Sequence, residues 1–312
     1  MSTSWELLAK RLGSKTETRS KKTAIVCAPT VESLKQFEVR CLPNGCNFTN
    51  TTMSVLGFST AEIEIGTRDR SGRQVLELDA YAISFPITAF ALEYLKAFVN
   101  LKSPDYSVSW FLVLDWTMSN QRFWLQELIS SIELLSSNGA CIPAGLMTIC
   151  CLNTDHIYTW QKNTTQWLPD HVEHIQQALR SICLLKKCSL FYYPTLSPSS
   201  VLSDFDKDVA LNVLLGKLDS IPADLVSTSK LRIPWGCDSI GLIKTVSESF
   251  EPSQVLTNEF KEKFGTFIPR VIASSAHNDE MPLEQESIGP YKIDVQHELQ
   301  KIYDQVQKHI RS

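Results

Sequence analysis

The sequence has no surplus of basic residues. Its 30 Lys and Arg are outnumbered by 34 Asp and Glu, which gives a formal net charge of −4. A domain that binds nucleic acid needs positive charge to neutralise phosphates, so this balance argues against a nucleic-acid partner. The one notable basic run, residues 15–22 (KTETRSKK), is interpreted as a solvated linker before the first strand.

Long apolar runs and paired cysteine motifs are also missing. No segment of the sequence is apolar enough over a sufficient length to span a bilayer, and the start, MSTSWELLAKRLG, does not resemble a signal peptide. We therefore predict a cytosolic protein without membrane insertion, whose thiols are reduced. Nine cysteines occur without any C-x-x-C pair, so buried free thiols are a better interpretation than a metal site.

The chain is 43% hydrophobic and alternates apolar runs with helical patterns. Short apolar runs predict buried strands at 23–28, 108–114, 146–152 and 189–193. Residues 51–65 and 74–78 flank a turn signal and predict a hairpin after the first helix. Alternating strands and helices predict an α/β fold with a mostly parallel sheet flanked by helices. The hairpin at this place is typical of the Ras-like P-loop GTPase-type domain.

We divide the chain into four parts. Residues 1–22 are an N-terminal helix and linker, 23–268 a degenerate GTPase-like domain, 269–290 a linker, and 291–312 a C-terminal amphipathic helix. Apolar stripes on the two terminal helices predict partner-binding surfaces, carried by Trp5, Leu8, Leu12, Leu299, Ile302 and Val306. That each helix folds back on its own domain stays open as the alternative.

The phosphate-binding loop of such a domain has lost its chemistry. This loop needs glycines whose backbone N–H groups wrap the phosphates, a lysine, and a hydroxyl for magnesium. The first strand should deliver it at residues 28–35, and the degenerate positions there are Ala28, Pro29, Glu32, Ser33, Leu34 and Lys35. Pro29 removes a backbone donor, Glu32 would repel a phosphate, and Leu34 stands in the lysine position. The sequence therefore predicts no nucleotide cofactor.

Two isolated acids stand where further nucleotide motifs belong. Asp79, in VLELDAY, is placed at the end of a strand, where a carboxylate would hold magnesium through water. Asp155 follows a buried strand as Asn153-Thr154-Asp155, in the position of the guanine-reading Asn-Lys-x-Asp, but the lysine is absent. We treat both acids as remnants, and a helix cap and an Asn/Asp turn are the simpler interpretations.

Several stretches together resemble the light intermediate chains of cytoplasmic dynein, in a short yeast-like form. The segment 112–128 (LVLDWTMSNQRFWLQEL) is similar to that family's strand ending in Asp and its Trp-bearing helix. The segment 142–155 resembles "IPVLVVxTKxD", and the strand ending at Asp79 resembles its "LDG" strand. The most specific match is Ile233–Asp238 (IPWGCD), which resembles the "IPAGWD" signature.

The resemblance implies a non-catalytic accessory subunit of the dynein motor. It implies docking on the heavy-chain tail, contact with other dynein subunits and indirectly with microtubules, and support of nuclear migration and spindle positioning in the cytoplasm. The family's adaptor-binding tail has no counterpart here, so we do not expect adaptors to bind by that route. The alternative is a divergent GTPase or other NTPase of intracellular transport, which rests on Asp79, Asp155 and the order of elements.

Overall fold

The computed structural model describes residues 18–43, 46, 48, 56–65, 74–101, 108–140, 142–163, 166–195 and 202–270. Its strands are β1 (Thr18–Ala28), β2 (Gly57–Ile65), β3 (Gln74–Ser84), β4 (Val108–Asp115), β5 (Met147–Leu152), β6 (Ser189–Tyr193) and β7 (Arg232–Ile233). Its helices are α1 (Val31–Cys41), α2 (Ala89–Lys96), α3 (Trp124–Ser137), α4 (His156–Asn163), α5 (Pro169–Lys186), α6 (Leu202–Leu214), α7 (Ile240–Lys244) and α8 (Asn258–Phe267). The predicted terminal helices, with the six apolar residues assigned to them, lie outside the described residues.

The strands form one mixed sheet in the order β2-β3-β1-β4-β5-β6-β7. Strands β3, β1, β4, β5 and β6 run parallel, while β2 pairs antiparallel with β3 and β7 pairs antiparallel with β6. This is the Ras-like arrangement. The predicted mostly parallel sheet and the hairpin after the first helix are therefore both confirmed.

Helices cover both faces of the sheet and create two apolar layers. Successive side chains of a strand point to opposite faces, so neighbouring residues of β1 serve different layers. Ile25 packs in the layer that contains α2, α3 and α5, whereas Val26 packs in the layer that contains α1 and α6. Strands β5 and β6 are buried along their whole length. Their uninterrupted apolar runs, rather than alternation, are what burial on both faces requires.

The first strand begins at Thr18, earlier than the sequence predicted, so the interpretation of the basic run as a linker is wrong for its second half. Residues 18–22 extend β1 along β3. Arg19 Nη1 lies 3.0 Å from Glu77 Oε1, and Lys21 Nζ lies 2.8 Å from Asp79 Oδ2. Arg19 and Lys21 thus each bind an acid on the neighbouring strand. The sequence of residues 15–22 alone does not indicate such cross-strand partners.

Two of the three aromatic residues between β4 and α3 belong to the core. Trp116 and Trp124 are fully buried, and their rings meet edge to face at 5.1 Å. Phe123 stays 46% exposed. The two tryptophans therefore contribute to the core, whereas Phe123 lies at the surface.

A buried ion pair fastens the segment after β7 to α5. Arg180 Nε donates to Asp238 Oδ2 at 2.7 Å, and Arg180 Nη2 donates to Asp238 Oδ1 at 2.8 Å. Both side chains are almost completely buried. Ser239, the next residue, caps α7 by accepting from Leu242 N. The two hydrogen bonds of this ion pair therefore hold the segment after β7 in place. The apolar residues of that segment alone do not predict a defined structure.

Replacing Arg180 by Met should destabilise the fold strongly. Removing one partner of a buried ion pair leaves an uncompensated charge and costs about 3–5 kcal/mol. We expect Arg180→Met to lower the free energy of unfolding by about 3 kcal/mol in urea denaturation followed by circular dichroism. Lys263→Met is the control, because Lys263 pairs with Glu259 on the open surface and should change little. Equal losses in the two variants would contradict this assignment.

Candidate functional site

The site that a Ras-like fold uses lies at the carboxyl ends of its parallel strands. Here β1 ends at Ala28 and α1 begins at Val31, so Pro29 and Thr30 alone connect them. A phosphate-binding loop has four residues between its two glycines before its lysine is reached. The two-residue connection is therefore too short to wrap a phosphate with backbone N–H groups.

The start of α1 is satisfied from within the chain. The Thr30 hydroxyl accepts from Ser33 N at 3.0 Å and lies 2.8 Å from Ser33 Oγ. Ser33 is fully buried, and its hydroxyl donates to Asp115 Oδ2 at 2.7 Å. Leu34 is part of the core, whereas Glu32 and Lys35 are exposed. The residues at the start of α1 and in the phosphate-loop positions therefore have other roles. They cap the helix, bind Asp115, pack in the core or face solvent.

Asp115 is the last residue of β4 and lies at the centre of a hydrogen-bond network at the carboxyl ends of the parallel strands. Its Oδ1 accepts from Thr117 N at 2.9 Å, from Thr117 Oγ1 at 2.7 Å and from Asn153 Nδ2 at 2.9 Å, while Oδ2 accepts from Ser33. Three of these donors share Oδ1 and the fourth binds Oδ2, so both oxygens of the carboxyl group have partners within the chain. Asp115 therefore ties α1, the loop after β4 and the end of β5 together.

Sequence reasoning recognised Asp115 only as a strand end and did not assign it to the site. The available signal was an acid directly after the most apolar strand of the chain. An acid next to a strand that is buried on both faces is removed from water, and a buried acid needs donors. Two of the four donors belong to nearby Thr117, but the other two belong to Ser33 and Asn153, which are 82 and 38 residues away and which no local pattern indicates.

The Asn153–Asp155 segment forms a turn that leads into α4, which confirms the simpler interpretation. Asn153 has a φ of 55°, a left-handed conformation that Asn tolerates, and it also donates to Gln36 Oε1 at 2.7 Å. Asp155 Oδ1 accepts from Thr195 N and from Thr195 Oγ1, each at 2.6 Å. Burial opposes ionisation of Asp155, but the Thr195 hydrogen bonds outweigh it and lower its pKa. Asp155 stands where the guanine-reading motif would place its acid. Its carboxylate instead binds Thr195 of the same chain.

Asp79 does not lie at the site, so the prediction that it closes a strand at the magnesium position is wrong. The register pairs Thr23 with Asp79 and Ala28 with Ser84, which places Asp79 about 16 Å before the carboxyl edge. The strand continues because residues 80–83 remain buried in the sheet. Asp79 instead binds Lys21 and accepts from Thr60 Oγ1 at 3.3 Å.

A small cavity remains beside the network. Its volume is about 160 Å³, and it is lined by Gln36, Arg40, Leu152, Asn153 and Thr195. Pockets for small organic ligands usually occupy about 300–1,000 Å³. The charged wall residue, Arg40, is paired with Asp206, Nε to Oδ2, at 2.7 Å. The cavity therefore offers neither the volume nor the open positive charge that a nucleotide needs.

The described part of the chain offers little other reactive chemistry. Of its cysteines, Cys237 is exposed and the others are buried. Burial raises the pKa of the Cys46 thiol to about 11 and that of Cys188 to about 12, so both are weak nucleophiles. Among the described residues, no group of three His, Cys, Asp or Glu is placed to hold a metal ion. The helices described there are also too short or too polar to cross a membrane.

Removing the Asp115 carboxyl group should destabilise the edge. Asp115→Ala leaves the buried donors of Ser33 and Asn153 without their acceptor, and each unsatisfied buried group costs about 1–3 kcal/mol. We expect a loss of about 3 kcal/mol or more in the free energy of unfolding, measured by urea denaturation. Asp219→Ala is the control, because Asp219 is exposed. Equal stability of the two variants would contradict the role assigned to Asp115.

The fold and this edge define a class of protein, a Ras-like P-loop domain whose phosphate loop is degenerate. No protein-family model matches the chain. It is 32% identical over 314 residues to the cytoplasmic dynein intermediate light chain DYN3 of Saccharomyces cerevisiae, covering 93% of this chain and 91% of the relative. It is 30% identical to the protein of the same name from Candida glabrata, covering 79% of each. The chain therefore belongs to the family of cytoplasmic dynein light intermediate chains.

A solved structure supports the fold. The crystal structure of the dynein light intermediate chain's conserved domain superposes with a TM-score of 0.54 at 20% identity. The match covers 76% of this chain and 88% of the solved one. The resemblance drawn from the Asp-ended strand and the IPWGCD segment is therefore confirmed.

Proposed function

We propose that the chain is a non-catalytic accessory subunit of the cytoplasmic dynein motor complex, docking on the heavy-chain tail. In this role it acts in the cytoplasm with microtubules and supports nuclear migration and spindle positioning. The observation that carries the proposal is the edge closed around Asp115 in a member of this dynein family. In this Ras-like domain the chain's own side chains fill the edge of the sheet where a ligand would bind. Such a domain is suited to bind other proteins through its surface rather than to hydrolyse a nucleotide.

The hydrogen bonds at the edge explain why catalysis is disfavoured. A nucleotide would have to displace the bonds from Ser33 and Asn153 to Asp115, which are short and buried. Breaking them leaves buried polar groups without partners, a cost that phosphate contacts would need to exceed. With two connecting residues before α1, the backbone supplies no nest of N–H groups to offset that cost.

The proposed partners are the dynein heavy-chain tail, the other dynein subunits and, indirectly, microtubules. Neither nucleic acid nor a membrane is among them, given the net charge of −4 and the apolar pattern. The predicted terminal helices stay candidates for heavy-chain contacts. Their stripes, such as Trp5 with Leu8 and Ile302 with Val306, have the spacing of helix-on-helix recognition.

The purified chain should bind the heavy-chain tail directly. We expect it to co-elute with a tail fragment in size-exclusion chromatography at micromolar concentration, because a structural subunit must stay bound through the working cycle of the motor. A heavy-chain motor-domain fragment from the same organism is the negative control. Separate elution of the chain and the tail would overturn the proposal.

The alternative, a divergent GTPase or other NTPase, is favoured by the retained Ras-like order of elements. Heat-denaturing the purified protein and running the supernatant on an ion-exchange column distinguishes the two functions. We expect no stoichiometric GDP, GTP, ADP or ATP. One mole of nucleotide released per mole of chain would establish the alternative instead.

A further inference from the structure

Helix α8 lies beside α3 and contacts α5 through a row of aromatic side chains. Within α8 only Phe264 is fully buried, and most of the other side chains of the helix face solvent. Phe260, Phe264 and Phe267 stand at positions i, i+4 and i+7, which share one face of a helix. Against this face α5 places His171 and His174, three residues apart. The attachment of α8 therefore depends largely on contacts between phenylalanines and imidazoles.

The His174 ring contacts four phenylalanine rings. Its centroid lies 5.6 Å from that of Phe260 and 5.7 Å from that of Phe264, with the ring planes nearly parallel. The ring of Phe267 lies 4.8 Å away, and Phe250, from the segment before α8, lies 5.4 Å away. A neutral imidazole suits such surroundings, whereas a charged one loses water that phenylalanine does not replace. Protonation of His174 therefore opposes the packing of α8.

His171 needs an unprotonated ring nitrogen. Its Nδ1 accepts a hydrogen bond from Leu168 N at 3.0 Å, at the start of α5, and its ring lies 4.9 Å from that of Phe267. Both nitrogens of a charged imidazole are donors, so the charged form has no acceptor to offer Leu168. Protonation of His171 would therefore break this cap of α5 and place a charge beside Phe267.

The surrounding charges do little to offset a proton on either imidazole. The charged groups of the elements packed around them are Asp170 and Glu173 of α5, Lys244, Glu248 and Glu251 of α7 and the segment after it, and Glu259, Lys261, Glu262, Lys263 and Arg270 of α8 and its end. Glu251 is bound to Lys244 and Glu259 to Lys263, each at 2.6 Å, while Glu173, Glu248 and Glu262 are exposed. Asp170 alone among these acids favours a charge on His171.

We propose that His171 and His174 form a proton-sensitive latch, which holds α8 on α5 while both imidazoles are neutral and releases it when they are protonated. One imidazole accepts the bond that caps α5, the other packs among phenylalanines, and both contact Phe267. Because α8 buries little else, it is the kind of element that opens locally while the rest of the domain stays folded. The latch goes beyond the proposed function and does not depend on it.

The pH range of the latch follows from the direction of two pKa shifts. Burial lowers the pKa of His171 and of His174 below the ordinary value of 6.5; Asp170 opposes this only in part at His171, and the charge of His171 adds to it at His174. The released form therefore binds protons more readily than the closed form. Attachment is complete above about pH 6.5 and weakens as the pH falls below that value.

Hydrogen exchange measured by mass spectrometry on the full chain tests the latch. Protection of the peptide covering residues 258–268 is compared at about pH 7.5 and about pH 5.5, on either side of the ordinary histidine pKa, after correction for intrinsic exchange rates. We expect its protection factor to fall at least about fivefold at the lower pH, because the hydrogen bond from Leu168 is lost and a charge is buried. The peptide covering β5 should keep its protection at both pH values.

The double variant His171→Asn, His174→Phe removes both titratable groups. It keeps an acceptor for Leu168 N and an aromatic ring among the phenylalanines, so we expect the same protection of residues 258–268 at both pH values. His156→Gln is the matched control, because His156 lies on α4 outside this cluster, and it should behave as the wild-type chain does. If circular dichroism shows that the double variant does not fold, His174→Phe alone is used, and its fall in protection must be smaller than that of the wild-type chain.

The contrary outcomes are distinct. Equal protection of α8 at both pH values in the wild-type chain would overturn the latch. Greater protection at the lower pH would also overturn it, by showing that attraction between an imidazolium and the phenylalanine faces dominates. A fall that persists undiminished in the histidine variants would assign the effect to other groups. Loss of protection in β5 as well would indicate general acid unfolding instead of local release.

Discussion

The carboxyl group of Asp115 is the constraint on which the arrangement of the sheet edge depends. A buried carboxyl group is stable only when donors replace the water that it has lost. Here four donors from three separate segments supply that replacement. Those donors hold the start of α1 against the ends of β4 and β5, where related folds leave room for phosphates. The edge of the sheet at which related folds bind a ligand is therefore closed by contacts within the chain.

The same rule governs the other polar groups that the fold buries. Arg40 binds Asp206, and Arg180 binds Asp238, each with a shortest distance of 2.7 Å. Burial raises the pKa of Asp206, and the Arg40 guanidinium offsets this only in part. These pairs hold α6 onto α1 and the segment after β7 onto α5 instead of creating reactive centres.

Much of the fold, and part of the site, follows from the sequence. Apolar runs bounded by turn residues predict the strands, the hairpin and the loss of the phosphate loop at Pro29 and Glu32, because all of these are local properties. Asp79 and residues 18–22 were misplaced because their positions depend on cross-strand pairing, which lies outside any local window. Asp115 was missed for the same reason, since its partner Ser33 is 82 residues away.

The short connection and the internal partners of Asp115 make the loss of the phosphate loop more than a set of substitutions. Restoring glycines near Pro29 and a lysine in place of Leu34 would not add residues to the two-residue link between β1 and α1. It would also leave both oxygens of Asp115 bound to Ser33, Thr117 and Asn153, which a magnesium ion would have to displace. A binding site would require the Asp115 network to open and the link to lengthen together. Each change alone would leave polar groups without partners, so neither change alone would restore a binding site.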